Sequence, residues 1–161
     1  DRIISDKYLS GGMGDGGGCH PRDNIALSWL SNKLNLSYNW FDNIMKQREL
    51  QTDWFADLIE ENLLQGGIVI LGKSFKPETN IETGSPAHLL ANILIERGHT
   101  FVHYDAMVDE VLIDNPRTFF IGTKHEDFVS FDYPKGSIII DPWRYIPDIE
   151  GCNVIRIGDN L

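Results

Sequence analysis

Five short apolar runs set the character of the later part of this chain. Ile68-Val69-Ile70-Leu71, Phe101-Val102-His103-Tyr104, Phe119-Phe120-Ile121, Ile138-Ile139-Ile140 and Val154-Ile155-Arg156-Ile157 read as strands. A short unbroken apolar run suits a strand covered on both faces, as in a parallel sheet. Between the first two runs, Ser85-Pro86 opens a helix, with Ser85 as N-cap and Pro86 at the first helical position. Leu89, Leu90, Ile93 and Leu94 form its buried stripe, and Gly98 ends it. Strand, helix and strand at this spacing imply an α/β fold with a parallel sheet and right-handed crossovers. The ligand crevice of such a sheet lies at the carboxyl ends of its strands. That rule gathers Gly72 to Lys76, Asp105, Gly122 to His125 and Asp141 to Arg144 around one mouth.

The first 65 residues have a different grain. Residues 1–18 read as loop or extended chain, residues 21–35 as a helix, and residues 40–64 as a second helix. In the second, Phe41, Ile44, Met45, Trp54, Phe55, Leu58 and Ile59 recur at helical spacing, and Gly66-Gly67 stops the pattern. A boundary near residue 66 therefore divides a helical piece (1–65) from an α/β piece (66–161). Trp29, Trp40 and Trp54 fall on the helices, as core or dimer-interface residues.

With 42% hydrophobic residues the chain can build a core, and no apolar run approaches the ~20 residues of a membrane span. The net charge of −10 argues against nucleic acid or an anionic membrane as a general partner. A local group of cations still suits a small anion, and Lys73, Lys76, Lys124 and Arg144 each stand near a strand end. Cys19 and Cys152 lie far apart in unlike contexts, so a disulfide framework is not expected and a reducing cytoplasm is. No secretory signal pattern opens the chain, and it starts at Asp1 without an initiator Met, as a fragment or processed product does. No cluster has metal-ligand spacing.

Gly12-Met13-Gly14-Asp15-Gly16-Gly17-Gly18-Cys19-His20-Pro21-Arg22-Asp23 carries the chemistry. Glycines allow a ligand close to the backbone, and Pro21 suits the first turn of a helix. Cys19 then sits at a helix N-terminus, where free amides and the dipole favour a thiolate; such sites draw thiol pKa values to about 3.5–7.5. Asp23 follows one helical turn later, in reach of the sulfur and able to position water. Spacing alone leaves two readings open, an activated nucleophile and a small apolar side chain after a loop.

The longer pattern resembles the nucleotide-sugar 6-dehydrogenases, the UDP-glucose and GDP-mannose dehydrogenase family. The glycine stretch is similar to G-x-G-x-G-G-x-C-x-P-K-D, with Arg22 in place of Lys. Gly72-Lys73-Ser74-Phe75-Lys76-Pro77-Glu78-Thr79 resembles G-x-A-F-K-P-D-T. Ser85-Pro86, His103-Tyr104-Asp105, Thr123 to Phe128, Ile140 to Arg144 and Asp1-Arg2-Ile3 follow in matching order.

The resemblance implies a Rossmann-like C-terminal domain preceded by part of a central helical dimerisation segment. It implies an oxidation of the sugar C6 alcohol to a carboxylate in two hydride transfers to NAD. Cys19 becomes the nucleophile that forms a thiohemiacetal and then a thioester, and Asp23 the residue that positions or deprotonates the hydrolytic water. Gly16, Gly17, Phe75, Lys76, Arg144 and Arg2 become contacts to a UDP-sugar or related nucleotide-sugar, with Arg2 reaching a partner subunit of a homodimer. The family's NAD domain precedes the matched region, and no G-x-G-x-x-G follows a strand near the start, so this chain alone is expected to be inactive. Thr83 stands where the family has an arginine facing the nicotinamide. A sugar-nucleotide module without redox chemistry and a thiol-based hydrolase or redox protein remain as alternatives. His125 reads as a strand-end structural residue, His20 as a loop residue, His99 and His103 as strand residues, and Cys152 as a buried small hydrophobe.

Overall fold

The computed structural model describes residues 11–14, 16–110 and 112–159. Two helices come first, α1 (His20–Lys33) and α2 (Trp40–Glu61). The sheet follows as β1 (Ile68–Leu71), α3 (Pro86–Glu96), β2 (Phe101–Tyr104), β3 (Thr118–Ile121), β4 (Ile138–Asp141) and β5 (Asn153–Arg156). A 3-10 turn over Glu126–Val129 lies between β3 and β4. All pairings are parallel, and the spatial order is β2-β1-β3-β4-β5. Chain order reverses across the β1/β3 pair, which is where an open α/β sheet places its crevice.

Side chains alternate between the two sheet faces, as the strand period requires. Ile68, Ile70, Phe120 and Ile140 meet Phe55, Ala56 and Ile59 of α2 and Ala87, Leu90, Ala91 and Leu94 of α3. Val69, Leu71, Phe119, Ile121 and Ile139 point to the other face, where Ile113, Phe128, Tyr133 and Ile146 cover them. β1 and β3 are buried along their whole length, so their unbroken apolar sequence is a direct imprint of two-sided burial. The C-terminal half of α2 thus shares its core with the sheet. A network clamps this contact: Arg97, at the end of α3, reaches Asp53 (2.6 Å), Asp57 (2.7 Å) and Glu60 (2.8 Å) of α2.

The expected elements are all present, with shifted ends. α1 runs one residue earlier and stops at Lys33, α2 stops at Glu61, and β5 begins at Asn153. Trp29 and Trp40 are 61% and 63% exposed and Trp54 is 47% exposed, so of the two expected places, core or dimer interface, the core is excluded. Two expectations about side chains are corrected. Cys152 is half-buried rather than buried, its sulfur 3.4 Å from the Pro134 carbonyl. His99 precedes β2 instead of lying in it, and pairs with Glu60 at 2.7 Å.

Candidate functional site

The crevice is built from turns that leave the strands, and two buried carboxylates set those turns. Asp105, at the end of β2, accepts from the Lys73 amide (2.7 Å), the Ser74 amide (3.4 Å) and the Met107 amide (3.0 Å). Burial raises the Asp105 pKa, but the Lys73 and Met107 amides, the nearby His125 and the Ser74 amide outweigh it and hold the group below the ordinary carboxylate value. Asp141, at the end of β4, accepts from the amides of Trp143, Arg144, Tyr145 and Ile146 at 2.7–2.9 Å. A short acidic side chain at a strand end thereby replaces the sheet ladder as acceptor for the loop that follows.

The glycine segment lies across this edge. Met13 is buried in the core beside α2 and α3, and Gly12 packs where a side chain would strike the Trp143 ring. The Trp143 indole is fixed in turn by donating to the Ile121 carbonyl at 3.0 Å. Further along, Gly17 donates to the Gly84 carbonyl at 3.1 Å. A Cβ on Gly16 would stand 3.2 Å from the Phe75 carbonyl, and one on Gly17 would stand 3.0 Å from the Phe75 ring. Both Gly17 (φ 87°) and Gly84 (φ 74°) occupy the left-handed region, and a Cβ on Gly84 would collide with the Gly17 carbonyl. Sequence distance is long, yet these two loops touch backbone to backbone.

Cys19 follows as the N-cap of α1, exposed, with Pro21 in the first turn. The Asp23 amide donates to the Cys19 carbonyl at 2.8 Å, which closes the first helical turn and stacks the two side chains' positions on one face. Arg22 bridges to Asp23 at 2.9 Å. Its guanidinium is held more firmly charged by Asp23 first and by Cys19 as well. Thiol, carboxylate and cation therefore gather in one exposed turn.

The structure brings Gly16 and Gly17 against Phe75, and Cys19 follows two residues after Gly17. Lys76 is exposed beside them, its ammonium 5.4 Å from the centre of the Phe75 ring. Two other strand-end lysines are engaged elsewhere: Lys73 pairs with Asp109 at 2.7 Å, and Lys124 lies over the Tyr145 ring at 5.3 Å. Arg144 is turned to the Ile157 carbonyl and the Asp159 carboxylate. Arg2 and Asp15 lie outside the described residues. An open groove of about 570 Å³ between α2 and α3, lined by Lys46, Leu50, Leu89 and Ile93 among others, contains none of the glycine segment or strand-end loops.

Sequence reasoning missed the group that holds the Phe75 loop. His125 and Ser74 are each 1% exposed, and the imidazole Nε2 lies 3.0 Å from the Ser74 hydroxyl and 3.3 Å from Asp105. Thr123 and Ser85 donate to the Ser74 carbonyl at 2.6 and 3.2 Å. His125 stood in a noted motif, but nothing in local spacing announces that β1, β2 and β3 bring these three residues to one point.

A Rossmann-like arrangement would offer the turn after β1 to a dinucleotide pyrophosphate. Here the Lys73 and Ser74 amides already serve Asp105, and α3 starts only at Pro86. The amides of that turn are thus already committed within the chain rather than turned out to a pyrophosphate. Among the described residues, no group of three or more His, Cys, Asp or Glu residues could hold a metal ion. No described helix is long and apolar enough to cross a membrane.

Fold and site together define a parallel α/β domain with a thiol-bearing glycine loop laid on its strand-end crevice. No family model matches the chain. The UDP-glucose 6-dehydrogenase AglM of Haloferax volcanii is 25% identical over 95% of the chain and 41% of its own length. The GDP-mannose 6-dehydrogenase of Pseudomonas putida is 30% identical over 75% of the chain and 27% of its own length. Among solved structures, a UDP-glucose dehydrogenase from Pyrobaculum islandicum aligns with a TM-score of 0.72 and 25% identity, covering 97% of the chain and 40% of its own. The chain matches the C-terminal portion of nucleotide-sugar 6-dehydrogenases, and spans about a quarter to two-fifths of the length of these relatives.

Proposed function

We propose that this chain is the sugar-nucleotide and thiol half of an NAD-dependent nucleotide-sugar 6-dehydrogenase of the UDP-glucose type. The observation that carries the reading is the docking of the Cys19 loop on the Phe75 loop, through Gly17 to Gly84 at 3.1 Å and the Phe75 ring against Gly17. A sugar nucleotide in the crevice would set its phosphates toward Lys76, with Phe75, Gly16 and Gly17 as walls. Its C6 would face Cys19.

Two steps belong to this chain's own atoms. The Cys19 sulfur adds to the C6 aldehyde and its carbonyl oxygen takes a proton, giving a thiohemiacetal. After oxidation to the thioester, water attacks the acyl carbon while Asp23 accepts its proton, and the sulfur leaves with the carboxylate released. NAD supplies the oxidising capacity when bound by a domain outside the described residues, so the chain alone is inactive. Arg144 and Arg2 are proposed as further contacts to the nucleotide-sugar, Arg144 after release from Asp159 and Arg2 across a homodimer. The exposed apolar side chains of α1 suit such a dimer. The reducing cytoplasm remains the proposed compartment.

The test is protection of a thiol. Iodoacetamide should label Cys19 faster than Cys152, and UDP-glucose should both slow that labelling and raise the melting temperature. GDP-mannose in parallel reports the preferred base and sugar. Equal labelling of the two thiols, or no protection by either nucleotide-sugar, overturns the reading. A redox-free binding module would give protection but no turnover once an NAD domain is restored.

A further inference from the structure

We infer that His125 is a positioning residue for the Phe75-Lys76 loop, acting through the Ser74 hydroxyl; the inference rests on the function proposed above. The direction of each hydrogen bond can be deduced. The Ser74 hydroxyl has one proton, and it lies 2.9 Å from the Lys76 carbonyl, which can only accept. That proton therefore goes to Lys76. The Ser74 oxygen must then accept from the imidazole 3.0 Å away, so His125 carries a proton on Nε2. The same N–H leans toward the Asp105 carboxylate at 3.3 Å, an acceptor as well. His125 is thus the donor that fixes the hydroxyl, and the hydroxyl holds the carbonyl of the residue that offers its ammonium to the ligand.

The imidazole has little freedom to do otherwise. Its ring meets Phe128 edge-on at 5.5 Å, and the main-chain carbonyl of His125 accepts from the Tyr145 hydroxyl at 2.8 Å. The loop it controls is closed by the Phe75 amide donating to Ile81 at 3.0 Å, next to the Ser74 hydroxyl that steadies it. Loss of the His125 donor should leave the sheet intact and slacken the loop tip, because the core of β1 and β3 does not depend on it.

The tautomer is directly measurable on the parent chain. Two-bond proton–nitrogen correlation of the imidazole should show Nε2 protonated; a ring protonated on Nδ1 alone overturns the inference. UDP-glucose titration then separates this inference from the function on which it rests. His125→Leu and Ser74→Ala should each weaken binding about tenfold, the double variant no further, and His125→Gln should recover part of the loss through its amide donor. Unchanged binding in Ser74→Ala, with the parent binding well, defeats the inference and leaves the function standing. If the parent binds neither UDP-glucose nor GDP-mannose, the function falls, and exchange of the Phe75 amide decides the positioning role. Faster exchange in Ser74→Ala than in the parent supports it, and equal exchange refutes it. Should His125→Leu fail to fold, Ser74→Ala carries the test unaided, since it leaves the imidazole in place.

Discussion

α1 and α3 begin alike and end in opposite surroundings. Each has proline in its first turn, yet Ser85 caps α3 by accepting from the Ala87 amide at 3.2 Å, while Cys19 makes no side-chain cap bond. Five residues of α3 are buried, Pro86, Ala87, Leu90, Ala91 and Leu94, whereas Ser31 is the buried residue of α1. Ile25 and Trp29 of α1, and Leu34 at its C-cap, are each about 60% exposed. α3 is held by the sheet it covers. α1 is held at its start by the glycine segment and along its length by α2, and it leaves its apolar side chains unclaimed by this chain. The cap position of α1 makes no side-chain bond to its helix, and its sulfur faces the Arg22 guanidinium instead.

The largest effect should come from emptying the core under α3. Leu90→Ala is expected to cost about 2–5 kcal/mol in urea unfolding, the range for a buried leucine truncated to a cavity. A loss below ~1 kcal/mol would mean that α3 is not the element the sheet depends on.

Acid should act next, and on the sheet side of the comparison. His103 is held below its ordinary pKa mainly by burial, with its Nε2 3.0 Å from the Gly72 carbonyl. Its unfolded form takes up a proton first, near pH ~6.5, so stability present above that value declines as pH falls toward the folded pKa. Asp105 is depressed relative to an unfolded value of about 3.9, so its contribution is present above that pH and disappears as pH drops through the folded value. Melting temperature against pH should therefore fall in two stages. His103→Gln should flatten the first; an unaltered profile would remove His103 from the account.

The caps provide a finer contrast. Ser85→Ala should destabilise by about 1 kcal/mol, and Cys19→Ser by no more than a few tenths, with any change toward greater stability because serine is a better N-cap. On the proposed function the same Cys19→Ser variant should also abolish thioester formation once an NAD domain is supplied, so stability and chemistry would move apart at one position. Equal losses at the two caps would sink the distinction.

The smallest effect is expected on the exposed face. Trp29→Ala should alter monomer stability within about 0.5 kcal/mol. If α1 is a dimer element, sedimentation should show weaker self-association in this variant; a large loss in the monomer would instead place Trp29 in the fold.

These contrasts also mark how far the sequence could be read. β1 and β4 were legible because burial on both faces writes itself as an uninterrupted apolar run, and Ser85-Pro86 because a cap is a local bond. The helical spacing of Phe55 and Ile59 showed the buried stripe of α2. The same apolarity could not choose between core and dimer interface for Trp29 and Trp54, since a stripe prepared for a partner and one prepared for a core use the same residues. Cys19 and Asp23 could be related from sequence because one helical turn joins them. The Asp105, Ser74 and His125 group could not, because its members meet only after three strands are laid side by side. Arg144 stands one residue beyond its pattern, and its engagement by Asp159 depends on a turn with no local signature.

The interlocked pair Gly17 and Gly84 has a mechanical consequence. Where main chain abuts main chain, no rotamer can relax the contact and no side-chain change can retune it. The glycine segment is therefore pinned to the turn before α3 like a hinge with its pin driven home, and α1 starts from a fixed point.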